Sequence, residues 1–222
     1  MAKLYFLGGD DIKVRNAKSI NKKAFLEAGG HPVVLDFPWT SKEEKIKYRQ
    51  ILIDYFKDIG ARNVIFAELF ESLNAIEKKI KSADVIYLPG GEPKYLIKRL
   101  HQKGVDKLLK DYRGIIIGNS AGSLAMCKKS AVIKGQGGRS KTSFEKGLDF
   151  VDFAVSVHYR ASKKIHSGES PAKSLRMLST KNDVRIFAIP ENSAVVYDGK
   201  EISIIGDVYL FYKGKKTKCT SK

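Results

Sequence analysis

Short apolar runs alternate with longer amphipathic segments as far as Lys128, and this alternation constrains the fold more than any other feature of the sequence. The strand-like runs span 3–7, 33–37, 63–67, 84–88 and 114–118, and the helical patterns span 12–28, 41–59, 72–81 and 94–112. Continuous apolar strands between amphipathic helices are typical of a parallel sheet that is covered on both faces. The sequence therefore predicts a three-layer α/β/α sandwich with a mostly parallel sheet.

The pattern changes after Lys128. Residues 135–147 are rich in glycine and lysine and are interpreted as a loop, whereas 150–158 has a strand-like pattern and 167–178 a helical one. Short strand-like runs follow at 185–189, 194–197, 202–205 and 208–212, and Asp198-Gly199 is a hairpin turn signal between two of them. We expect an antiparallel meander of C-terminal strands at the edge of the sheet. Because the 222 residues contain no long linker and no internal repeat, we predict a single domain over 1–222.

Composition and cysteine usage indicate where such a chain would work. Hydrophobic residues make up 43% of the sequence, which is enough to bury a core. No apolar run approaches the roughly 18 residues of a membrane-spanning helix, and the apolar stretch at the start is too short for a signal peptide. Cys127 and Cys219 do not form a disulfide or metal pattern. We therefore expect a cytoplasmic protein that has no membrane partner.

The formal charge of +17 comes from lysines scattered along the whole chain rather than from one basic block. The sequence lacks zinc-finger spacing, a basic region with heptads and an aromatic RNA-binding signature, so nucleic acid is not expected as the main partner. We interpret the charge as a lysine-rich surface. His, Asp and Glu residues show no metal-ligand spacing, and Gly8-Gly9-Asp10 lacks the spacing of a phosphate-binding loop. No metal and no other cofactor is expected.

The sequence Gly118-Asn119-Ser120-Ala121-Gly122 has the pattern Gly-x-Ser-x-Gly and lies between a predicted strand and a predicted helix. In that setting the pattern indicates a nucleophile elbow, in which the glycines allow close backbone approach and the serine is exposed at the carboxyl end of a parallel strand. The helix that follows would offer backbone N–H groups to an oxyanion. The alternative is that Ser120 only caps that helix.

A serine nucleophile needs a base, and His158 is the preferred candidate among the four histidines. It ends the apolar run 153–157, where a strand could hold an imidazole in place. His31 lies in a predicted loop and His101 in a charged helix, whereas His166, in a polar segment, is the second choice. A purely structural role for His158 is the alternative.

Glu191 is the preferred acid because it follows the apolar strand that ends at Ile189-Pro190. Asp149 and Asp152 are its competitors, and a surface turn is the alternative role for Glu191. The order serine, histidine, acid differs from that of α/β-hydrolases, in which the acid precedes the histidine. The order fits a glutamine amidotransferase-like fold.

Four segments together resemble the peptidase E (α-aspartyl dipeptidase) family of serine peptidases, to which cyanophycinase is related. The segments are Tyr87-Leu88-Pro89-Gly90-Gly91, Gly118-Asn119-Ser120-Ala121-Gly122, Val157-His158-Tyr159 and Ile189-Pro190-Glu191-Asn192. The resemblance covers most of the chain and implies a class I glutamine amidotransferase-like (flavodoxin-like) fold. It also implies that Ser120 is the nucleophile, His158 the base and Glu191 the orienting acid, and that the backbone N–H groups of Gly91 and Ala121 form the oxyanion hole.

The sequence departs from the family pattern in two places. Gly90-Gly91 is followed by Glu92-Pro93 rather than by Asn-Thr or Asp, and Pro171 falls where the family has an arginine clamp. Lysine does not replace a bidentate arginine, so a preference for an N-terminal aspartate is left open. Other cations that could recognise an acidic substrate are Arg160, Lys163, Lys164 and Arg176.

These observations predict hydrolysis of a dipeptide or short peptide through an acyl-enzyme on Ser120. Two alternatives stay open: an esterase or other acyl hydrolase that uses the same triad, and a non-catalytic binding protein that uses the basic surface. The family resemblance is compatible with a homodimer.

Overall fold

A computed structural model describes residues 1–11, 13–37, 42–68, 70–133, 135, 141–160 and 170–220. Its central sheet contains seven strands, which are in chain order β1 (Lys3–Leu7), β2 (Val33–Asp36), β3 (Asn63–Phe66), β4 (Val85–Leu88), β5 (Ile115–Asn119), β10 (Ala194–Tyr197) and β11 (Ile202–Ile205). Across the sheet they lie in the order β11-β10-β1-β5-β4-β2-β3. Strands β1 to β5 are mutually parallel, whereas β10 and β11 continue the sheet in antiparallel pairing at the β1 edge.

Successive strand residues point to opposite sides of the sheet, and here both sides carry apolar side chains. Helices therefore cover both faces. The helices are α1 (Lys18–Glu27), α2 (Lys42–Asp58), α3 (Leu73–Ser82), α4 (Pro93–Gln102), α5 (Val105–Asp111), α6 (Ala121–Met126) and α7 (Pro171–Asn182). Residues of α1 and α2 pack with Tyr5 and Ile117 in one apolar cluster. Residues of α3, α4 and α5 pack with Phe6 and Ile116 in another. The predicted three-layer sandwich and its antiparallel edge are confirmed.

Two helix boundaries differ from the sequence pattern. The helix expected over 12–28 begins at Lys18, because the backbone forms turns before Ala17 and the side chain of Asp10 accepts a hydrogen bond from the Ala17 N–H at 2.9 Å. The single helical pattern over 94–112 divides into α4 and α5 at Gly104, which has a φ of 69°. Ser72 caps α3 by accepting a hydrogen bond from the Ala75 N–H at 3.2 Å.

The region after Lys128 is more divided than expected. The predicted loop over 135–147 is wrong in part, because β7 (Ser143–Lys146) pairs with β6 (Lys129–Val132). The C-terminal meander divides between two sheets. A second sheet has the order β13-β12-β9-β8 and contains β8 (Ala154–Ser156), β9 (Ile186–Ala188), β12 (Asp207–Tyr212) and β13 (Lys215–Thr220). Alternation along each run predicts a strand but does not say which sheet that strand joins.

The Asp198-Gly199 turn joins the antiparallel pair β10 and β11, as its sequence indicates. Cys127 and Cys219 are both free thiols, and Cys127 is fully buried, which raises its pKa to about 12. Of the helices in the described ranges, none is both long enough and apolar enough to span a bilayer.

Candidate active site

The backbone at Ser120 turns sharply between β5 and α6, with φ 48° and ψ −101°. A positive φ is strained for a residue with a side chain, so the surroundings must hold it. The backbone leaves no room for a side chain at Gly118 or Gly122, so glycine is required at both positions. A Cβ on Gly118 would lie 2.6 Å from the backbone nitrogen of Ser123, and one on Gly122 would lie 2.0 Å from the carbonyl oxygen of Leu88. The Gly-x-Ser-x-Gly sequence therefore forms a true strand-to-helix elbow.

The end of β1 holds the elbow in place. The Ser120 N–H donates to the Leu7 carbonyl oxygen at 3.3 Å. The hydroxyl oxygen of the buried Ser123 lies 2.8 Å from the same Leu7 oxygen and 2.6 Å from the Gly118 carbonyl oxygen. These contacts fix the first turn of α6 against two parallel strands, which can offset the strain at Ser120.

His158 and Glu191 reach the elbow from the second sheet. Strands β8 and β9 are parallel neighbours in which Ser156 lies opposite Ala188, so the residues just beyond their carboxyl ends emerge side by side. The chain then enters β10, where Ala194 pairs with Leu7 of β1. This return to the central sheet carries Glu191 to the same edge as the elbow.

Ser120, His158 and Glu191 form a continuous hydrogen-bonded series. Oγ of Ser120 lies 2.7 Å from Nε2 of His158, and Nδ1 of His158 lies 3.1 Å from Oε1 of Glu191. A carboxylate can only accept, so Nδ1 carries the proton toward Glu191 and Nε2 is left to accept the serine proton. The backbone N–H of His158, whose φ is 52°, donates to the Gly8 carbonyl oxygen at 2.8 Å.

The structure separates the other candidate acids and bases from this series. Asp149 lies 4.0 Å from Lys128, and the highly exposed Asp152 lies 3.6 Å from Arg185. His31 lies 3.3 Å from the Gly60 carbonyl oxygen, and His101 pairs with Asp106 at 2.9 Å. His166, Lys163 and Lys164 lie outside the described residues.

The glycines after β1 are part of the site, although their sequence matches no phosphate-binding loop and indicates no other role by itself. A Cβ on Gly9 would lie 2.5 Å from Cε1 of His158, and one on Gly8 would lie 2.0 Å from the Pro190 carbonyl oxygen. A glycine pair close to the end of a strand occurs twice, as Gly8-Gly9 after β1 and as Gly90-Gly91 shortly after β4. This repetition is the sequence signal that could have indicated that Gly8-Gly9 belongs to the site.

A cavity of about 940 Å³ opens over Ser120. Its wall includes Gly90, Gly91, Asn119, His158 and Glu191, together with Asp10, Asp11, Asn16, Lys13, Lys47, Tyr48 and Tyr87. Among the residues that the structure describes, the cations on this wall are Lys47 of α2 and Lys13, which precedes α1. Arg160 lies beside the wall, 3.7 Å from Oε1 of Glu191. Pro171 is the first residue of α7, and Arg176 lies on the same helix, which packs on β12.

Two buried tyrosine hydroxyls lie on one side of this cavity. Burial raises the pKa of Tyr48 and Tyr87 well above the ordinary value of 10.0, so these hydroxyls keep their protons even at alkaline pH. The negative charge of Asp36, a fully buried residue at the end of β2, also raises the pKa of both tyrosines. Burial raises the pKa of Asp36 well above its ordinary value, and the nearby Arg49 opposes that shift.

No group of three or more His, Cys, Asp or Glu side chains suited to a metal ion occurs within the part of the chain that the structure describes. A second concavity, of about 1010 Å³, lies at the opposite end of the central sheet. Lys3, at the start of β1, and Asp84 and Gly114, which directly precede β4 and β5, are on its wall. It is remote from Ser120 in the fold, because the elbow lies at the carboxyl end of β5.

The fold and the elbow define the class: a flavodoxin-like α/β sandwich with a Ser-His-Glu series at the carboxyl ends of its strands. A model of peptidase family S51 matches residues 12–205. The chain belongs to peptidase family S51, and the resemblance to the peptidase E family is confirmed.

Individual relatives agree with this assignment. An uncharacterized peptidase of Listeria monocytogenes is 29% identical over 139 residues, which cover 60% of this chain and 65% of the relative. An uncharacterized peptidase of Listeria innocua is 31% identical over 96 residues, which cover 40% and 46%. The match therefore spans less than two thirds of either relative.

Crystal structures show the same fold. A peptidase from an acI-B1 Actinobacterium superposes with a TM-score of 0.74 at 19% identity and covers 100% of this chain and 95% of its own. A Listeria monocytogenes protein, provisionally described as a peptidase E, gives a TM-score of 0.62 at 20% identity and covers 92% and 98%.

Proposed function

We propose that this protein is a serine peptidase that hydrolyses dipeptides or short peptides through an acyl-enzyme on Ser120. The observation that carries the proposal is the series from Ser120 Oγ to His158 at 2.7 Å and from His158 to Glu191 at 3.1 Å. Membership of peptidase family S51 supports it. A cavity of about 940 Å³ above the serine has the size of a small-molecule site and suits a substrate of a few residues.

In the acylation step, Ser120 Oγ attacks the carbonyl carbon of the scissile amide while its proton passes to His158 Nε2. Glu191 holds Nδ1 and stabilises the imidazolium that forms. The backbone N–H groups of Gly91 and Ala121 donate to the oxyanion of the tetrahedral intermediate. The intermediate collapses as the C–N bond breaks, and the leaving amine takes the proton from His158.

Deacylation repeats these steps with water. His158 removes a proton from a water molecule, the resulting hydroxide attacks the ester carbonyl, and the Ser120–acyl bond breaks. The proton on His158 returns to Ser120 Oγ, so the enzyme ends in its starting state. One water is consumed for each amide bond.

The first test is a cleavage screen. The purified protein and its Ser120→Ala variant would be incubated with dipeptides and aminoacyl-anilides, including Asp-X peptides, and release of free amine would be followed. We expect turnover by the native protein and a loss of at least about 10³-fold in the variant, because the acyl-enzyme cannot form. The preferred first residue would define the substrate class.

Other results would direct attention elsewhere. Turnover of aryl esters without turnover of any amide would favour the acyl-hydrolase alternative. Activity that survives Ser120→Ala, or no activity on any acyl substrate, would contradict the proposal and favour a binding protein, for which salt-dependent retention on heparin would be the next observation.

A further inference from the structure

The turn formed by residues 8–11, which we name the 8–11 turn, touches every segment of the Ser-His-Glu series. The Gly8 carbonyl oxygen accepts from the His158 N–H at 2.8 Å, and the Gly8 N–H donates to the Ser193 carbonyl oxygen at 3.1 Å. Gly9 lies against the imidazole, and its Cβ would lie 3.3 Å from Cγ of Glu191. Any displacement of this turn would therefore move His158 relative to Ser120.

Two hydrogen bonds join the 8–11 turn to the elbow. The Asp10 N–H donates to Oδ1 of Asn119 at 2.8 Å, and Nδ2 of Asn119 donates to the Asp10 carbonyl oxygen at 3.0 Å. Asn119 is the residue directly before Ser120. The side chain of Asn119 thus ties the backbone of the turn to the residue next to the nucleophile.

The carboxylate of Asp10 anchors the turn to the helical layer. Oδ1 accepts from the Ala17 N–H at 2.9 Å, and Oδ2 accepts from Nδ2 of Asn21 at 3.0 Å and from the Tyr55 hydroxyl at 2.9 Å. Nδ2 of Asn21 also lies 2.7 Å from the Tyr55 oxygen. Asn21 and Tyr55 are fully buried, so these bonds are shielded from water.

We propose that Tyr55 is a positioning residue for the reaction: its hydroxyl, through Asp10 and Asn119, holds the 8–11 turn so that Ser120 and His158 stay aligned. The inference rests on the proposed serine peptidase function. Tyr55 is suited to test it because its side chain is 0% exposed, and the cavity wall is formed by other residues of α2, namely Lys47, Tyr48 and Ile51. Its effect on the reaction must therefore pass through the turn rather than through contact with substrate.

The test compares two tyrosine-to-phenylalanine variants. Tyr55→Phe removes one hydroxyl that supports the 8–11 turn and keeps the ring among its aromatic neighbours. Tyr112→Phe removes a hydroxyl that donates to the Ala83 carbonyl oxygen at 2.9 Å, at the far end of the sheet. For each protein, kcat and KM on a cleaved peptide are measured together with the rate at which a fluorophosphonate labels Ser120, at a temperature where circular dichroism shows it folded.

We expect Tyr55→Phe to lower kcat and the labelling rate by about tenfold each, with KM within about twofold of native, because misalignment weakens attack more than binding. Tyr112→Phe should keep all three values within about twofold. A Tyr55→Phe enzyme with native kcat and native labelling would overturn the inference and leave the peptidase proposal intact. A native protein that neither cleaves nor labels would overturn the peptidase proposal itself.

If Tyr55→Phe does not fold, Asp10→Asn provides a second comparison. It keeps the size of the side chain but leaves one acceptor oxygen for three donors, namely the Ala17 N–H, Nδ2 of Asn21 and the Tyr55 hydroxyl. Because Asp10 also lines the cavity, KM is measured beside the labelling rate and should stay within about twofold of native. The expected result is again a fall of about tenfold or more in the labelling rate of Ser120. Native labelling of a folded Asp10→Asn protein would overturn the inference.

Discussion

Gly9 lies directly against His158: a Cβ at position 9 would be 2.5 Å from Cε1 and 2.7 Å from Nδ1 of the imidazole. Gly9→Ala would therefore push the ring away from Ser120 or Glu191. We predict that kcat/KM falls by about 10²-fold or more, because misplacement of a reacting group by about 1 Å has effects of that size. Steady-state cleavage of the preferred peptide measures it.

The control for this prediction is Gly29→Ala. Gly29 also has a positive φ, of 95°, but a Cβ there would meet nothing within 4 Å. That variant should lose up to about 1 kcal/mol of stability from backbone strain and keep its kcat/KM. Equal activity losses in the two variants would show that strain, rather than contact with His158, is responsible.

Glu191→Gln should lower kcat by about 10²–10⁴-fold with little change in KM. A carboxamide cannot stabilise the imidazolium, and it can present its NH₂ group to Nδ1 and so favour the wrong tautomer. Asp149→Asn and Asp152→Asn are the matched controls, because each removes one carboxylate elsewhere, and both should retain native kcat. A larger loss from either aspartate variant would contradict the assignment of Glu191.

Lys13 and Lys47 line the cavity beside the carboxylates of Asp10, Asp11 and Glu191, so each lysine should strengthen the binding of an acidic side chain and offset part of its repulsion. We predict that Lys13→Ala combined with Lys47→Ala raises KM for Asp-X or Glu-X dipeptides by about two- to fivefold and leaves neutral dipeptides unchanged, since exposed charge pairs contribute less than about 1 kcal/mol each. The difference should vanish near 1 M salt, where screening is strong.

A variant with the same loss of charge away from the cavity controls for net charge. Lys200→Ala combined with Lys215→Ala removes two exposed lysines of the C-terminal strands and turns. It should leave the ratio of acidic to neutral turnover unchanged. An equal shift in this variant would assign the effect to overall charge rather than to the cavity wall.

Asp36→Asn should stabilise the protein at neutral pH. Asp36 is fully buried, and within the described ranges only the Phe37 backbone and the nearby Arg49 favour its charged form. Burial raises its folded-state pKa above the ordinary 3.8, so between the two values the native protein binds more protons than the unfolded chain. Stability of the native protein therefore falls as pH rises through that window.

The variant should lack this slope. We expect Asn at position 36 to gain on the order of 1–3 kcal/mol at pH 7 to 8, as expected when a buried charge is removed, and to lose that gain below about pH 4. Arg49 would keep its ion pair with Glu68. Thermal denaturation from pH 4 to pH 8 measures the difference, and a variant less stable than native at pH 8 would contradict the prediction.

Asp58→Asn provides a control of opposite sign. Asp58 accepts from Lys18 at 2.8 Å on the surface, and that hydrogen bond and charge lower its pKa. Its stabilising contribution is present above the ordinary pKa and is lost as pH falls. This variant should therefore be slightly less stable than native at neutral pH and equal to it in acid.

Most of the architecture could be predicted from local pattern. The apolar runs that form β1 to β5 and the helical patterns between them can be recognised, because apolar continuity and helical periodicity are properties of neighbouring residues. Gly104 was missed as a helix break, because an isolated glycine inside a helical pattern is also compatible with a continuous helix. The strand of residues 215–220 was missed, because its lysines obscure the alternation of an edge strand.

The elbow was recognisable because its glycines, its serine and the strand before it are adjacent in sequence. The role of Gly8-Gly9 is not visible in the sequence, because these glycines make room for Pro190 and His158, which lie far away along the chain. A sequence pattern records that a position lacks a side chain, but it does not record which distant group fills the space.

The sequence by itself determined the strands β1 to β5, the helices between them apart from some boundaries, and the position of the Gly-x-Ser-x-Gly pattern between a strand and a helix, because each depends on residues within a few positions of one another. Only the tertiary structure decided that Glu191, rather than Asp149 or Asp152, contacts His158. Ser120 and His158 are 38 residues apart, and His158 and Glu191 are 33 apart. They meet because β8 pairs with β9 and β10 returns beside β1. Strand order results from packing of the whole chain, so local periodicity does not contain it.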